Sequence, residues 1–277
     1  MKVLFEAPQA YRDPYFKYTK SRSVATALVP DPNVWIELDK YPKLKYISTP
    51  STGMNHIDLL QCAKRGIVVY SLRDDMDALN EIRASSEFTF QLILHALHRP
   101  FQQYMRYDRN DAGMRGYELY GKTVGIIGYG RIGKNIAKWV TAFGAYWDYH
   151  DPKYKNSNNM IGLFRRCDIV LISCSLNEET RGMITGEHLN AMKEGAILVN
   201  TARAEIIDED ALVSWAKKGQ NIYAADVLHG EVFGKHKTSE LLKLPNCIIT
   251  PHIAGTTYES QEKAARIALN LLKRIAQ

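Results

Sequence analysis

Short apolar runs alternate with helically spaced stretches along most of the chain. Lys2 to Phe5, Val24 to Val29, Leu44 to Ser48 and Ile67 to Tyr70 read as strands, with a helical stretch from about Ile57 to Lys64 ahead of the last. The first part is therefore itself α/β. Phe88, Leu92, Ile93, Ala96 and Leu97 then recur at helical spacing within Ile82 to Leu97, and Pro100 follows, so a long helix is expected to stop there and to connect two domains. Further strand candidates are Thr123 to Gly128, Tyr146 to His150, Ile169 to Cys174, Ala196 to Asn200, Ile222 to Asp226 and Cys247 to Thr250. Helix-like segments such as Arg131 to Phe143, Glu187 to Met192 and Asp208 to Lys217 separate them, an alternation that predicts a parallel, doubly wound sheet. A closing amphipathic helix, Thr257 to Ile275, is expected to pack back on the first domain. No repeat or low-complexity linker marks the boundary near residue 99, which rests on the change of pattern alone.

One strand candidate runs straight into Gly128-Tyr129-Gly130-Arg131-Ile132-Gly133 and then into a helical pattern. In that context G-x-G-x-x-G implies a bound dinucleotide. Gly128 allows the tight turn, Gly130 lets backbone approach a pyrophosphate, and Gly133 lets the helix seat on its strand, while the helix N-terminus offers N–H groups to the anion. The next strand ends at Asp151, roughly 20 residues past the last glycine, where a carboxylate can accept from ribose hydroxyls and repel a 2′-phosphate.

With 277 residues, 45% of them hydrophobic, the chain can bury a substantial core and fits two modest domains better than one. The formal charge of +6 is scattered among acids, which favours a solvated basic surface that attracts anionic substrates over a nucleic-acid partner. Cys62, Cys167, Cys174 and Cys247 show no zinc-ligand spacing, so no metal is expected and the thiols read as buried and free, in a reducing compartment. The opening residues meet Glu6 and Pro8 too soon for a signal peptide, and no apolar run reaches the roughly 18 residues of a membrane span, so a cytoplasmic protein is expected.

Loops after the C-terminal ends of parallel strands are where chemistry converges on a cofactor. Arg203 follows the strand ending at Asn200, Asp226 ends the next, Glu231 lies beyond it, and His252 follows the last. A guanidinium grips a carboxylate in bidentate fashion and polarises a neighbouring carbonyl. A histidine exchanges a proton near neutral pH, and a carboxylate beside it fixes the ring and favours its charged form.

The glycine motif, Val199-Asn200-Thr201-Ala202-Arg203-Ala204, Ala225-Asp226-Val227 with Glu231, and Thr250-Pro251-His252-Ile253-Ala254-Gly255 occur in an order that resembles the D-isomer-specific 2-hydroxyacid dehydrogenase family. The early Ser51-Thr52-Gly53-Met54-Asn55-His56-Ile57-Asp58 resembles that family's substrate-loop signature, so the likeness covers nearly the whole chain. It implies a Rossmann NAD domain (99–252) inserted into a smaller flavodoxin-like α/β substrate domain (1–98 and 253–277), with the active site in the cleft between them. It also implies interconversion of a 2-oxo acid and a D-2-hydroxy acid. By the match, Arg203 holds the substrate carboxylate and carbonyl, His252 is the acid/base, Glu231 orients and charges it, and the amides around Thr52, Gly53 and Met54 receive the carboxylate too. NAD would contact Gly128 to Gly133, Asp151, Ser175, Thr201, Ala202, Asp226 and Gly255. The resemblance further implies a homodimer joined through the nucleotide domains, for which Phe101 to Tyr107 offers aromatic surface.

Three positions depart from the family pattern: Ala204 where glycine is usual, Val232 where proline is common, and Ser175-Leu176-Asn177 in place of a frequent His-Pro pair. None removes a catalytic group. The charged segment Ser71 to Ser86 reads either as a determinant of substrate choice or an interface, or as an ordinary solvated insertion. Two other classes stay open: a non-enzymatic, NAD-responsive, corepressor-like binding protein, and another NAD enzyme such as a nucleotide-sugar dehydrogenase or a hydrolase. The first would tolerate loss of Arg203, Glu231 or His252. The second would be supported by a reactive cysteine or lysine constellation, and the four cysteines sit in no such setting.

Overall fold

The computed structural model describes residues 1–7, 11–98, 115–219, 221–231 and 238–276. The chain divides into two units, Met1–Ala84 with Gly255–Gln277, and Ser85–Ala254.

The first unit holds a parallel sheet in the order β2-β1-β3-β4-β5, built from β1 (Lys2–Phe5), β2 (Lys17–Tyr18), β3 (Ala27–Val29), β4 (Tyr46–Ser48) and β5 (Val68–Tyr70). This is the flavodoxin-type winding, with its reversal between β1 and β3. The period of two sorts side chains to opposite faces. Leu4, Leu28 and Ile47 pack with Ile57 and with Cys62 of α1 (Leu59–Lys64), whereas Val3, Ala27 and Val29 pack on Ala268, Leu269 and Leu272 of α8 (Tyr258–Ala276). Burial on both faces explains the near-continuous apolar runs. Strand β2 is absent from the sequence-based expectation, because an exposed edge pair of Lys17 and Tyr18 carries no apolar signal.

The charged segment after β5 is ordered by its own acids. Ser71 and Asp74 form a capping box, and Asp75 caps α2 (Met76–Asn80) and pairs with Arg274. Leu72, Leu79 and Ile82 bury against Ala264, Ile267 and Leu271 of α8. Its apolar positions are thus used in packing within the first unit.

The second unit is a six-stranded parallel sheet, β11-β10-β9-β8-β6-β7. Its strands are β6 (Thr123–Ile127), β7 (Tyr146–His150), β8 (Ile169–Ile172), β9 (Ile197–Asn200), β10 (Ile222–Ala225) and β11 (Cys247–Ile249). The winding reverses between β6 and β8. One face carries Val124, Ile126, Leu171 and Val199 against α3 (Ala84–His98) and α4 (Arg131–Ala142). The other carries Ile127, Ile172, Leu198 and Tyr223 against α5 (Met160–Arg166), α6 (Gly186–Asn190) and α7 (Glu209–Lys217). The expected doubly wound α/β sheet is present.

Helix α3 differs from expectation. Assigned from pattern to the first domain, it buries Leu92, Ile93, Ala96 and Leu97 against the second sheet, so contact places the division at Ala84 and not at residue 98. A helix pattern shows that an apolar stripe exists but not which sheet it covers. Helix α5 escapes the pattern because Gly162, Arg165 and Arg166 interrupt its short apolar run.

Gly125 lies buried in β6, where an added Cβ would stand 2.9 Å from Cys167 Sγ and 3.3 Å from its Cβ. Gly125→Ala is expected to destabilise the protein by about 1–3 kcal/mol through overpacking. In a Cys167→Ala background the added cost of Gly125→Ala should be smaller, and urea unfolding of the four proteins measures that coupling.

Candidate active site

The loop after β6 has the geometry its glycines require. Gly128 sits at φ 94°, and a Cβ there would meet the backbone of Cys174 at 2.5 Å. Gly133 lies against Gly128 O and Ile126 Cγ2, so α4 seats directly on the strand. A Cβ on Gly130 would instead enter open space, with no protein atom within 4 Å. Lys134 N–H donates to Gly130 O at 2.9 Å, so the amides before it precede the first acceptor within α4. An open cradle at a helix N-terminus, at the C-terminal edge of the sheet's reversal point, fits the pyrophosphate of a dinucleotide.

Asp151 follows β7 and faces the same loop. Its Oδ2 accepts from Tyr129 N–H at 2.9 Å and its Oδ1 from Lys153 N–H at 3.1 Å, and a carboxylate has acceptor capacity beyond these two bonds. Tyr129 stacks on Tyr149 at 4.3 Å and on Trp147 at 5.3 Å, with Tyr154 edge-on to both tyrosines. The motif points to the glycines and misses this aromatic cluster, whose signal is the run of aromatic residues in β7.

The loop after β9 is organised by Asn200, which is fully buried. Its Oδ1 accepts from Ala202 N–H and its Nδ2 donates to Arg203 O, both at 3.0 Å. Arg203, half-buried, donates from Nη1 to Ala202 O at 2.6 Å. Thr201 and Thr89 share a hydroxyl hydrogen bond of 2.7 Å, tying this loop to α3. Ala204 is buried and opens a 3-10 turn, so the departure from glycine is accommodated.

Asp226 and His252 are coupled. Asp226 is 1% exposed, and its carboxylate accepts from Thr250 Oγ1 at 2.6 Å, Ile253 N–H at 2.9 Å and Ala254 N–H at 2.7 Å. Burial pushes the carboxyl above its ordinary value, opposed by these bonds. Expected among cofactor contacts, Asp226 thus has its carboxylate turned onto the loop that carries His252. His252 is the one non-glycine residue among the described ones with positive φ, 56°. Its Nδ1 lies 2.6 Å from Glu231 Oε2, and Glu231 Oε1 accepts from Leu228 N–H. A carboxylate can only accept here, so Nδ1 carries the proton of that bond.

Other expected residues lie nearby or elsewhere. Ser175 opens a turn in which Asn177 and Thr180 bond reciprocally at 2.8 Å, which closes the loop without a His-Pro pair. Thr52, Gly53 and Met54 belong to the first unit, where Ser51 Oγ donates to Gly53 O at 2.6 Å and Ile57 N–H to Met54 O. Gly255 also falls in the first unit, its carbonyl accepting from Ser260 Oγ. Val232 and the aromatic stretch 101–107 lie outside the described residues. Burial pushes the thiols up, to about 11 for Cys167 and Cys247 and about 12 for Cys174, which leaves them protonated and poor nucleophiles. Among the described residues no helix is long and apolar enough to cross a membrane.

Comparison with known proteins bears on the family of the chain. A glyoxylate reductase of Thermofilum pendens is 34% identical over 249 residues, covering 83% of this chain and 71% of that protein. One from Thermococcus kodakarensis is 31% identical, covering 84% and 74%. The crystal structure of a D-lactate dehydrogenase from Aquifex aeolicus, complexed with NAD and lactic acid, superposes with a TM-score of 0.82 at 26% identity, covering 100% of this chain and 95% of that one. The TT0316 protein of Thermus thermophilus gives 0.82 at 28% identity, covering 98% and 96%. Residues 90–254 match the profile described as D-isomer specific 2-hydroxyacid dehydrogenase, NAD binding domain. The chain therefore belongs to the D-isomer specific 2-hydroxyacid dehydrogenase family, as an NAD-dependent oxidoreductase acting between 2-oxo acids and D-2-hydroxy acids.

Proposed function

We propose that Arg203, Glu231 and His252 carry this reaction on a small 2-oxo acid, with glyoxylate, named in the archaeal relatives, as the leading candidate. The supporting observation is the 2.6 Å contact between His252 Nδ1 and Glu231, on a turn pinned by Asp226, in the unit that carries the glycine loop. When bound, the nicotinamide cofactor would supply the hydride acceptor as NAD+ in oxidation and the hydride donor as NADH in reduction. In reduction His252 gives the proton on Nε2 to the carbonyl oxygen as that carbon gains hydride; in oxidation it takes the hydroxyl proton. Glu231 holds the ring by Nδ1 throughout and does not itself exchange the proton. The Arg203 guanidinium, which donates to Ala202 O, presents a planar fork to the substrate carboxylate and polarises the adjacent carbonyl. Raised thiol pKa values argue against a cysteine-based NAD enzyme, and retention of all three polar groups argues against a pure binding protein. A homodimer is part of the proposal; a chromatographic mass of one chain would remove it.

Loss of NADH absorbance with a panel of 2-oxo acids tests the reading, and turnover of none of them would overturn it. Arg203→Lys should keep NADH binding, read by fluorescence titration, yet lose on the order of 10²-fold in kcat/KM, because a compact ammonium cannot reproduce the bidentate fork. Unchanged rates would make Arg203 structural.

Asp226→Asn places an amide where the carboxylate accepts from Ile253 and Ala254. The loop should shift, lowering kcat on the order of 10²-fold by misplacing His252 and lowering Tm. NADH affinity should stay within a few-fold on the present geometry. A large rise in NADH Kd with kcat intact would instead make Asp226 a cofactor contact.

A further inference from the structure

Lys134, on the exposed side of the first turns of α4, is not part of the machinery described so far. Its ammonium stands over two rings at once, 5.8 Å from the centroid of Tyr129 and 5.5 Å from that of Tyr154. Tyr129 is the second residue of the glycine motif and donates its N–H to Asp151. Tyr154 belongs to the turn that Asp151 opens: Tyr154 N–H donates to Asp151 O at 3.0 Å, and Asp151 N–H donates to Ser157 Oγ at 2.8 Å. Lys134 therefore bridges the helix that faces the pyrophosphate cradle and the turn that carries the ribose-binding acid.

We propose that Lys134, held over Tyr129 and Tyr154, is a cofactor-specificity residue that accommodates the 2′-phosphate of NADPH beside Asp151. The inference rests on the assignment of Asp151 to the ribose. An isolated acid at this position repels a 2′-phosphate, whereas a neighbouring cation accommodates one. Here the cation stands over the rings of Tyr129 and Tyr154, two residues whose backbone N–H groups bond Asp151. A hydrogen bond to the Tyr154 hydroxyl and the Tyr154 charge first, and then more weakly the Tyr129 and Asp151 charges, hold the lysine above its ordinary value against slight desolvation. Ring faces on two sides restrict a side chain that would otherwise lose considerable rotamer freedom on gripping a ligand. Lys153 and Lys155 follow in the same turn and add positive potential. The chain should thus prefer NADH only modestly, accepting NADPH within about tenfold in Kd, the difference that a single weak charge contact supplies.

The test is cofactor binding, read by the quenching of protein fluorescence, to which Trp147 in the stacked cluster contributes. NADH and NADPH are titrated into the intact protein, Lys134→Ala, Lys134→Gln and Asp151→Ala. Adenosine 2′,5′-bisphosphate and 5′-AMP serve as competitors that isolate the effect of the 2′-phosphate. The expected result is an NADPH-to-NADH ratio of Kd that rises about tenfold in both Lys134 variants and falls in Asp151→Ala, with the bisphosphate losing its competition in step and NADPH binding the more salt-sensitive. Equal changes for both cofactors in the Lys134 variants, or NADPH binding too weak to detect in the parent protein, would overturn the role of Lys134 and leave NAD binding standing. Failure of NADH itself to bind would overturn the underlying cofactor assignment.

Discussion

The buried carboxylate of Asp226 holds the loop that carries His252 in place. It stands at the end of β10, almost without solvent, and gathers Thr250, Ile253 and Ala254 from the loop after β11. A buried carboxylate is costly unless its acceptors are satisfied, so the loop cannot move away without exposing or stranding that charge. His252 sits within this loop in the left-handed region at φ 56°, a conformation that costs a non-glycine residue about 1–2 kcal/mol. Hydrogen bonds to a charged group contribute roughly 1.5–3 kcal/mol each. Three of them outweigh the strain, and the imidazole is delivered to Glu231 as a result.

The same arrangement recurs one strand over. Asn200 at the end of β9 is fully buried and brackets Ala202 and Arg203 with its amide, so the arginine loop is set by a strand-end side chain as the histidine loop is. At the end of β7 Asp151 holds Tyr129. Each polar residue at a strand terminus faces two demands, since the sheet buries it while the adjoining loop offers backbone groups that need partners. A short side chain carrying two polar atoms meets both. Loops built this way are rigid enough to position chemistry although they lie outside regular structure.

Much of this was legible in the sequence. The strand positions of both sheets apart from β2, the glycine turn, and the placement of Arg203, Glu231 and His252 at strand ends follow from period, glycine spacing and the polar residue that breaks each apolar run. The exposed strand Lys17–Tyr18 and the helix Met160–Arg166 were not legible, because neither carries an apolar period of its own. The charged segment 71–86 was ambiguous, since its acids cap and pair locally while its apolar residues meet α8 nearly two hundred positions later.

The sequence by itself determined the class of sheet, the cofactor and the kinds of group available for catalysis, because these depend on local periodicity and on a contiguous glycine motif. Tertiary structure alone decided which sheet claims Ala84–His98, that Asp226 turns its oxygens onto the histidine loop, that His252 adopts positive φ, and that Lys134 lies over rings contributed by two different segments. Those outcomes are set by contacts between residues far apart in the chain, and a pattern along one dimension carries no information about which of several compatible faces two elements will share.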